Sequence, residues 1–256
     1  MEWIFGTTNL SELGYLIVLE DYLNAPEKRG DNIFIPYRHG RIYTKKFYDE
    51  RVMSFGLTVH ETTLESVENT LDTLKMLAGN GQQTLTAYMN NGSIRNAQAE
   101  IVNDFGVTRP APLVAKVTID FLIAGAFMRS ATQETNNIVI DAAPTTETIT
   151  NPGTVEEREA TIVLTGPLQN TVITNSTNGV SLTYTGAIAA PRVVTISVVA
   201  GEYVATDDLA ANKIGQITHS GSEALFVLDP GANSLSIADD TATTGEVDIN
   251  YYPPFL

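Results

Sequence analysis

The chain has no cysteine, a single tryptophan and three histidines in 256 residues. Without thiols there is no disulfide, no thiolate nucleophile and no Cys-based metal site, so stability has to come from packing or assembly. His39, His60 and His219 lie in separate segments, none in an HExxH-type spacing, so neutral-pH acid–base chemistry lacks its usual parts. Cations are scarce as well: 15 Lys and Arg face 30 Asp and Glu, for a net charge of −15. Phosphate backbones and anionic membranes are bound by clustered bases, so sequence-specific nucleic-acid binding is not expected. The longest apolar run, residues 121–128, falls far short of the roughly 20 residues of a membrane helix, so no membrane insertion is expected. The opening MEWIFGTTNL carries an acid at Glu2 and no basic n-region, and does not read as a signal peptide.

The remaining routes to chemistry are equally thin. No G-x-S-x-G elbow supports a serine nucleophile. Asp207-Asp208 and Asp239-Asp240 lack the alternating carboxylates of a calcium loop, and neighbouring strand residues point to opposite faces. Gly79-Asn80-Gly81 follows a helical pattern where a phosphate loop would precede one. The sequons at Asn9, Asn91 and Asn175 come without a secretion signal and are read as chance matches. Catalytic, cofactor and metal residues are therefore expected to be none, and the chain is not read as an enzyme.

What is present is a foldable chain: 43% of residues are hydrophobic, enough for a sizeable core. Its charge is uneven. Residues 1–130 hold 12 Lys and Arg against 15 Asp and Glu, net −3, while 131–256 hold 3 against 15, net −12. Together with a shift to Thr, Asn, Pro and Ala over residues 131–152, where Ile138, Val139 and Ile140 read as an isolated strand, this predicts two domains, 1–135 and 136–256.

In the first half, residues 33–59 carry the densest punctuation. Ile33, Phe34 and Ile35 read as a strand halted by Pro36, which has no N–H for a ladder. Arg38, His39, Gly40 and Arg41 make the turn, with Gly40 able to take positive φ. From Arg51 the chain alternates, and Met53, Phe55, Leu57 and Val59 form one apolar, core-facing side. The bases of this stretch, Arg38, Arg41, Lys45, Lys46 and Arg51, are the chain's only basic concentration and read as a solvated or intersubunit face. Residues 15–19 read as a strand and 20–32 as a polar loop. Thr62 with Glu65 matches a capping box for a helix whose stripe is Leu64, Val67, Leu71, Leu74 and Leu77, stopped by Gly79 at C′. Residues 84–89 and 93–101 flank Asn90-Asn91-Gly92 as a hairpin, and 115–123 alternate as a long amphipathic strand.

The second half shows only short β-rich runs at sandwich spacing: 160–164, 171–174, 181–185, 193–199, 224–228, 235–237 and 246–252. His219 falls in a predicted Thr-His-Ser-Gly loop. The fold class expected is mainly β, a sandwich-like first domain with one helix and a hairpin, followed by a β-sandwich.

In order and spacing these pieces resemble the distal tail (Dit) proteins of long-tailed, siphovirus phages. The matching segments are IPYRHGRIYTKKFYDERVMSFGLTV, TLDTLKMLAGNGQQTL and VAKVTIDFL, then ITNSTNGVSLTY, PRVVTISV, LFVLDPGANSLSI and VDINYYPPFL. The resemblance implies an N-terminal domain that closes into a homohexameric ring and a C-terminal galectin-like sandwich. It places the ring at the virion's tail tip, assembled in the host cytoplasm. The ring would sit between the tail tube protein and the tip hub or tail-associated protein, with tape-measure and receptor-binding proteins nearby. Sheet edges marked by Pro36 and by the Asn91-Gly92 hairpin, with Arg38, Arg41, Lys45 and Lys46, are the expected interface. The competing expectation is a carbohydrate- or receptor-binding protein using Tyr184, Tyr203, Tyr251 and Tyr252 as platforms beside Arg158, Arg192 and His219. Trp3, the one tryptophan, lies in the other half.

Overall fold

A computed structural model describes residues 1–18, 25–37, 39–102, 106–141, 144–199, 201–221, 225–241 and 244–256. The chain divides into two compact units, Met1–Ala131 with Leu256, and Thr132–Phe255.

In the first unit Met53, Phe55, Leu57 and Val59 are buried along strand Arg51–His60, as their alternation requires. Val114–Ile123 pairs with it antiparallel over its whole length, from Val114 opposite His60 to Ile123 opposite Arg51. Tyr15–Val18 and Gly106–Ala111 flank this pair. A second layer is built from Glu2–Phe5, paired with Thr8–Asn9 and Gln83–Tyr88. Strand Ile94–Ile101 joins the layers: its start pairs with Gln83–Tyr88 and Met128–Ser130, and its end, Glu100 and Ile101, pairs with Leu122 and Phe121. Between the layers Trp3 meets Phe55 edge-on at 4.9 Å, and Phe121 lies 5.2 Å from Phe55 and 5.0 Å from Phe5.

The helix runs Leu64–Gly79 and buries Val67, Leu71, Leu74 and Leu77. Its cap corrects the sequence reading by one residue. Thr63 is the N-cap, its hydroxyl accepting from Ser66 N–H, and the Ser66 side chain returns the bond to the Thr63 N–H. The box is closed by Ser66 and not by Glu65, and the helix starts at Leu64. Leu64 then falls on the outer side, 52% exposed. At the other end Gly79 is still helical and Asn80 caps it. The left-handed residue is Gly81, at φ +68°, where a Cβ would be strained.

Among the described residues the second unit has two five-stranded antiparallel sheets and a short ladder of Leu168–Gln169 with Ala187–Ile188. One runs, in spatial order, Glu134–Ile140, Gly245–Tyr251, Thr161–Thr165, Val193–Val199, Glu202–Asp207; the other Thr145–Asn151, Gly231–Ala238, Val172–Asn175, Val180–Tyr184, Ile217–Ser220. Ile162, Leu164, Ile196, Val247 and Ile249 from the first pack with Ile149, Ile173, Leu182, Leu235 and Ile237 from the second in one core.

Three expectations change here. The isolated strand read at residues 138–140 is the end of a longer edge strand, Glu134–Ile140, and a second edge strand, Thr145–Asn151, follows it; their partly wetted faces hide the rest of the apolar signal. His219 sits in strand Ile217–Ser220, opposite Leu182. The run predicted at 224–228 is no strand over its described residues. Phe226, Val227 and Leu228 are buried, yet only Leu228 makes an isolated bridge, to Glu157. Residue 224 lies outside the described residues.

Candidate interaction surface

Residues 25–50 form an arm. Its lower rung pairs Lys28 with Tyr48 and Arg29 with Phe47, and the Asp49 N–H donates to Glu27 O at 2.8 Å. The upper rung pairs Ile33 with Ile42 and Phe34 with Arg41. Both rungs are separate two-stranded ladders, outside the main sheets. Tyr48 anchors the foot, packing edge-on against Phe127 at 5.4 Å under the Lys28 ammonium at 5.0 Å.

This arm gathers most of the predicted interface. Pro36 is exposed in the tip turn, followed by Tyr37 at φ +64° and, further on, Gly40 at φ +90°. Arg41 and Lys45 are exposed, Lys46 is half-buried, and the Lys45 ammonium stands 6.0 Å from the Phe47 ring. Arg38 lies outside the described residues. Asn91 and Gly92 belong to a different hairpin, joining Gln83–Tyr88 to Ile94–Ile101. There the Asn91 Oδ1 accepts from Ser93 N–H and Oγ–H, and Gly92, at φ +83°, donates its N–H to Met89 O.

What the sequence reading missed on the arm is its apolar surface. The strand read over Ile33, Phe34 and Ile35 is Ile33–Phe34, and both its residues face solvent. Phe34 is 65% exposed, Tyr43 76%, and Ile42, Phe47 and Tyr37 are exposed with them. The available signal was aromatic density without period-2 polarity: a strand with one buried face alternates, and residues 33–48 do not.

In the second unit the residues offered for sugar binding are already engaged. Tyr184 is buried and its hydroxyl donates to Gln216 Oε1 at 2.7 Å; burial raises its pKa, with Lys213 opposing. The Tyr203 hydroxyl accepts from Phe226 N–H. Tyr251 is buried and donates to Thr150 O, and burial, helped by the Glu134 charge, pushes its pKa up to about 12. Of the four tyrosines, Tyr252 is the one exposed. Arg158 pairs with Glu156, and Arg192 with Asp207 and Asp208. An open cleft of about 230 Å³ lined by Ala187, Ala189, Arg192, Asp207 and Lys213 therefore presents charges that neutralise one another.

The paired aspartates are structural anchors. The Ala211 N–H foremost, with the Leu209 N–H and Lys213, holds the Asp207 carboxyl below the usual range. Asp239 is buried, which by itself would raise its pKa. Hydrogen bonds from Thr241, Thr171 and the Gln169 N–H outweigh that and lower it. A carboxyl whose folded pKa is depressed stabilises fully above its unfolded value of about 4, and loses that contribution as pH falls through the folded value. Asp239→Asn is therefore expected to lower the melting temperature at pH 7, with the gap to the parent narrowing below about pH 4. A gap constant from pH 7 to pH 3 overturns this. Among the described residues no group of three or more His, Asp or Glu is placed to hold a metal ion, and no helix is long and apolar enough to cross a membrane.

The arrangement of two β units with one helix has a counterpart. The chain aligns with the Dit protein of phage SPP1 over 98% of both chains, with a TM-score of 0.66 at 12% sequence identity. The chain has the distal tail protein fold. That SPP1 protein is described as a paradigm of the hub adsorption apparatus in phages infecting Gram-positive bacteria. A chain of the phage P2 baseplate in its activated conformation with Ca also aligns, over 100% of this chain and 99% of its own, with TM-score 0.44 and 10% identity. The strontium form of that baseplate gives TM-score 0.43 at 10% identity and the same coverage. No protein-family model and no curated protein sequence matches the chain. The distal tail protein fold thus rests on the SPP1 alignment across both units.

Proposed function

We propose that this chain is a structural hub of a phage tail, a non-enzymatic virion component. Six copies close through the first unit into a ring at the distal end of the tail. The ring joins the tube protein to the tip hub or tail-associated protein, close to the tape-measure protein. The second unit, a galectin-like sandwich, serves as a platform for host-adsorption and receptor-binding proteins. The observation that carries this reading is the shared distal tail protein fold over 98% of both chains. The surface chemistry agrees: a cyclic ring needs two different faces on each subunit, and the arm offers a basic, apolar face on a chain of net charge −15.

Imaging tests it. Purified protein, alone and mixed with the cognate tail-tube protein, is expected to give sixfold rings by negative-stain microscopy. Antibody against the chain is expected to label the tail end away from the head. A strictly monomeric protein that forms no ring with tube protein, or label along the tail shaft, would overturn the assignment.

A further inference from the structure

We infer that the arm of one copy docks on the helix of a second copy, an inference that rests on the ring reading above. Two strands standing alone are marginal in water and need a partner surface to hold them. This arm packs at its foot through Tyr48 on Phe127, and exposes Ile33, Phe34, Ile42 and Tyr43 above it. Ile33 and Ile42 share one face of the ribbon and Phe34, Arg41 and Tyr43 the other, and large apolar side chains exposed together in this way mark a contact surface.

Charge says what covers it. Residues 32–48 contain Arg38, Arg41, Lys45 and Lys46 and no acid at all, in a chain with twice as many acids as bases. The surface that receives the arm is therefore acidic as well as apolar. The outer face of the helix answers both needs. Glu65, Glu68 and Asp72 are exposed at spacings of three and four residues, so they form one stripe. Leu64 at 52% and Met76 at 61% exposure stand at its ends. Beside the stripe runs a shallow cleft of about 250 Å³ between helix and strand, lined by Glu68, Leu71, Asp72, Lys75 and Arg109. Its acids touch only exposed partners, Arg109 at 3.7 Å and Lys75 at 2.7 Å, and such surface pairs exchange readily. Phe34 and Tyr43 would cover Leu64 and Met76 of the next copy, while Lys45 and Lys46 meet Glu68 and Asp72. Arm and helix are different faces of one subunit, so the contact is head-to-tail and propagates around a ring.

The absence of native cysteine makes the test clean. Phe34→Cys on a tagged copy and Asp72→Cys on an untagged copy are mixed, assembled with tube protein and treated with a short bismaleimide. A tagged–untagged covalent dimer is expected, and is expected to be absent when Asn137→Cys replaces Asp72→Cys. In parallel, Lys45→Glu with Lys46→Glu should reduce ring yield at least tenfold, as should Glu68→Lys with Asp72→Lys. All four changes in one chain should restore it, and unchanged melting curves show that each variant folds. Rings that form normally in both reversal pairs, without the mixed dimer, overturn the docking while leaving the ring reading in place. Absence of rings from the unmodified chain with tube protein overturns both.

Discussion

Phe55→Ala is expected to destabilise the first unit by about 3–5 kcal/mol, the range for emptying a large aromatic site in a packed core. Phe55 is fully buried on strand Arg51–His60, with Trp3 at 4.9 Å and Phe121 at 5.2 Å, both edge-on. The loss has three parts: the ring's transfer from water, the contacts of the walls left facing a void, and about 0.5–1.5 kcal/mol for each aromatic pair. The walls cannot close in, because each belongs to a strand held in register by its neighbours. The single tryptophan reads the result directly, since Trp3 touches Phe55 and reports the first unit alone. Its fluorescence transition should fall by roughly 10 °C or more. Ser54→Ala, on the opposite side of the same strand, should stay within about 0.5 kcal/mol of the parent. A Phe55→Ala transition within a degree or two of the parent would mean that the aromatic cluster does not hold the two layers together.

The second large effect is expected from Asn233→Ala, at about 2–4 kcal/mol, from several buried groups losing their partners together. Phe226, Val227 and Leu228 are buried with a single bridge, Leu228 to Glu157, and the Phe226 N–H donates to the Tyr203 hydroxyl, so Val227 O needs other partners. Asparagines supply them. Asn175 Nδ2 donates to Val227 O at 2.8 Å and to Asn233 Oδ1 at 2.9 Å, and Asn178 Nδ2 also reaches Val227 O. Asn151 Nδ2 donates to Leu228 O at 3.2 Å. Asn233 itself closes the turn: Nδ2 donates to Asp229 O and Gly231 O, and Oδ1 accepts from Asp229 N–H. Alanine at this fully buried site would take one partner from each of four groups, Asn175 Nδ2, the Asp229 N–H and O, and Gly231 O. Hydrogen exchange in strand Gly231–Ala238 should accelerate roughly thirtyfold or more, following from that energy. Asn233→Asp should be no better at neutral pH, because a carboxylate faces two carbonyl oxygens where an amide had donated. Exchange at the parent rate in either variant would show that the network is not what pins the segment.

These two sites differ in how far they can be read without coordinates. Phe55 lies in a strand whose period-2 pattern names it as core, and Val67, Leu71, Leu74 and Leu77 follow equally from helical spacing. Thr63 shows the limit of that reading. The Thr62–Glu65 pattern named the cap one residue early, because Ser66 also completes a box and the cap is Thr63. Of the two edge strands, residues 138–140 were legible as a short apolar run, while the rest of Glu134–Ile140 and all of Thr145–Asn151 resemble a polar linker, because an edge strand buries only part of one face. Residues 225–228 failed in the opposite sense. They are apolar enough to look like a strand, but side chains from Asn151, Asn175 and Asn178, far away in sequence, take the place of a ladder.

The candidate surface divides along the same line. That residues 32–48 are basic, aromatic and free of acids was written in the order of residues alone, as was the mainly-β class and the uneven charge of the two halves. Periodicity reports which side chains share a face, and composition reports net charge; both are local properties of the chain. That the same residues stand out as a two-rung arm, with Phe34 and Tyr43 turned to solvent, was decided only by tertiary structure. Exposure depends on what the rest of the fold leaves uncovered, and here the arm's two ladders lie outside the first unit's main sheet.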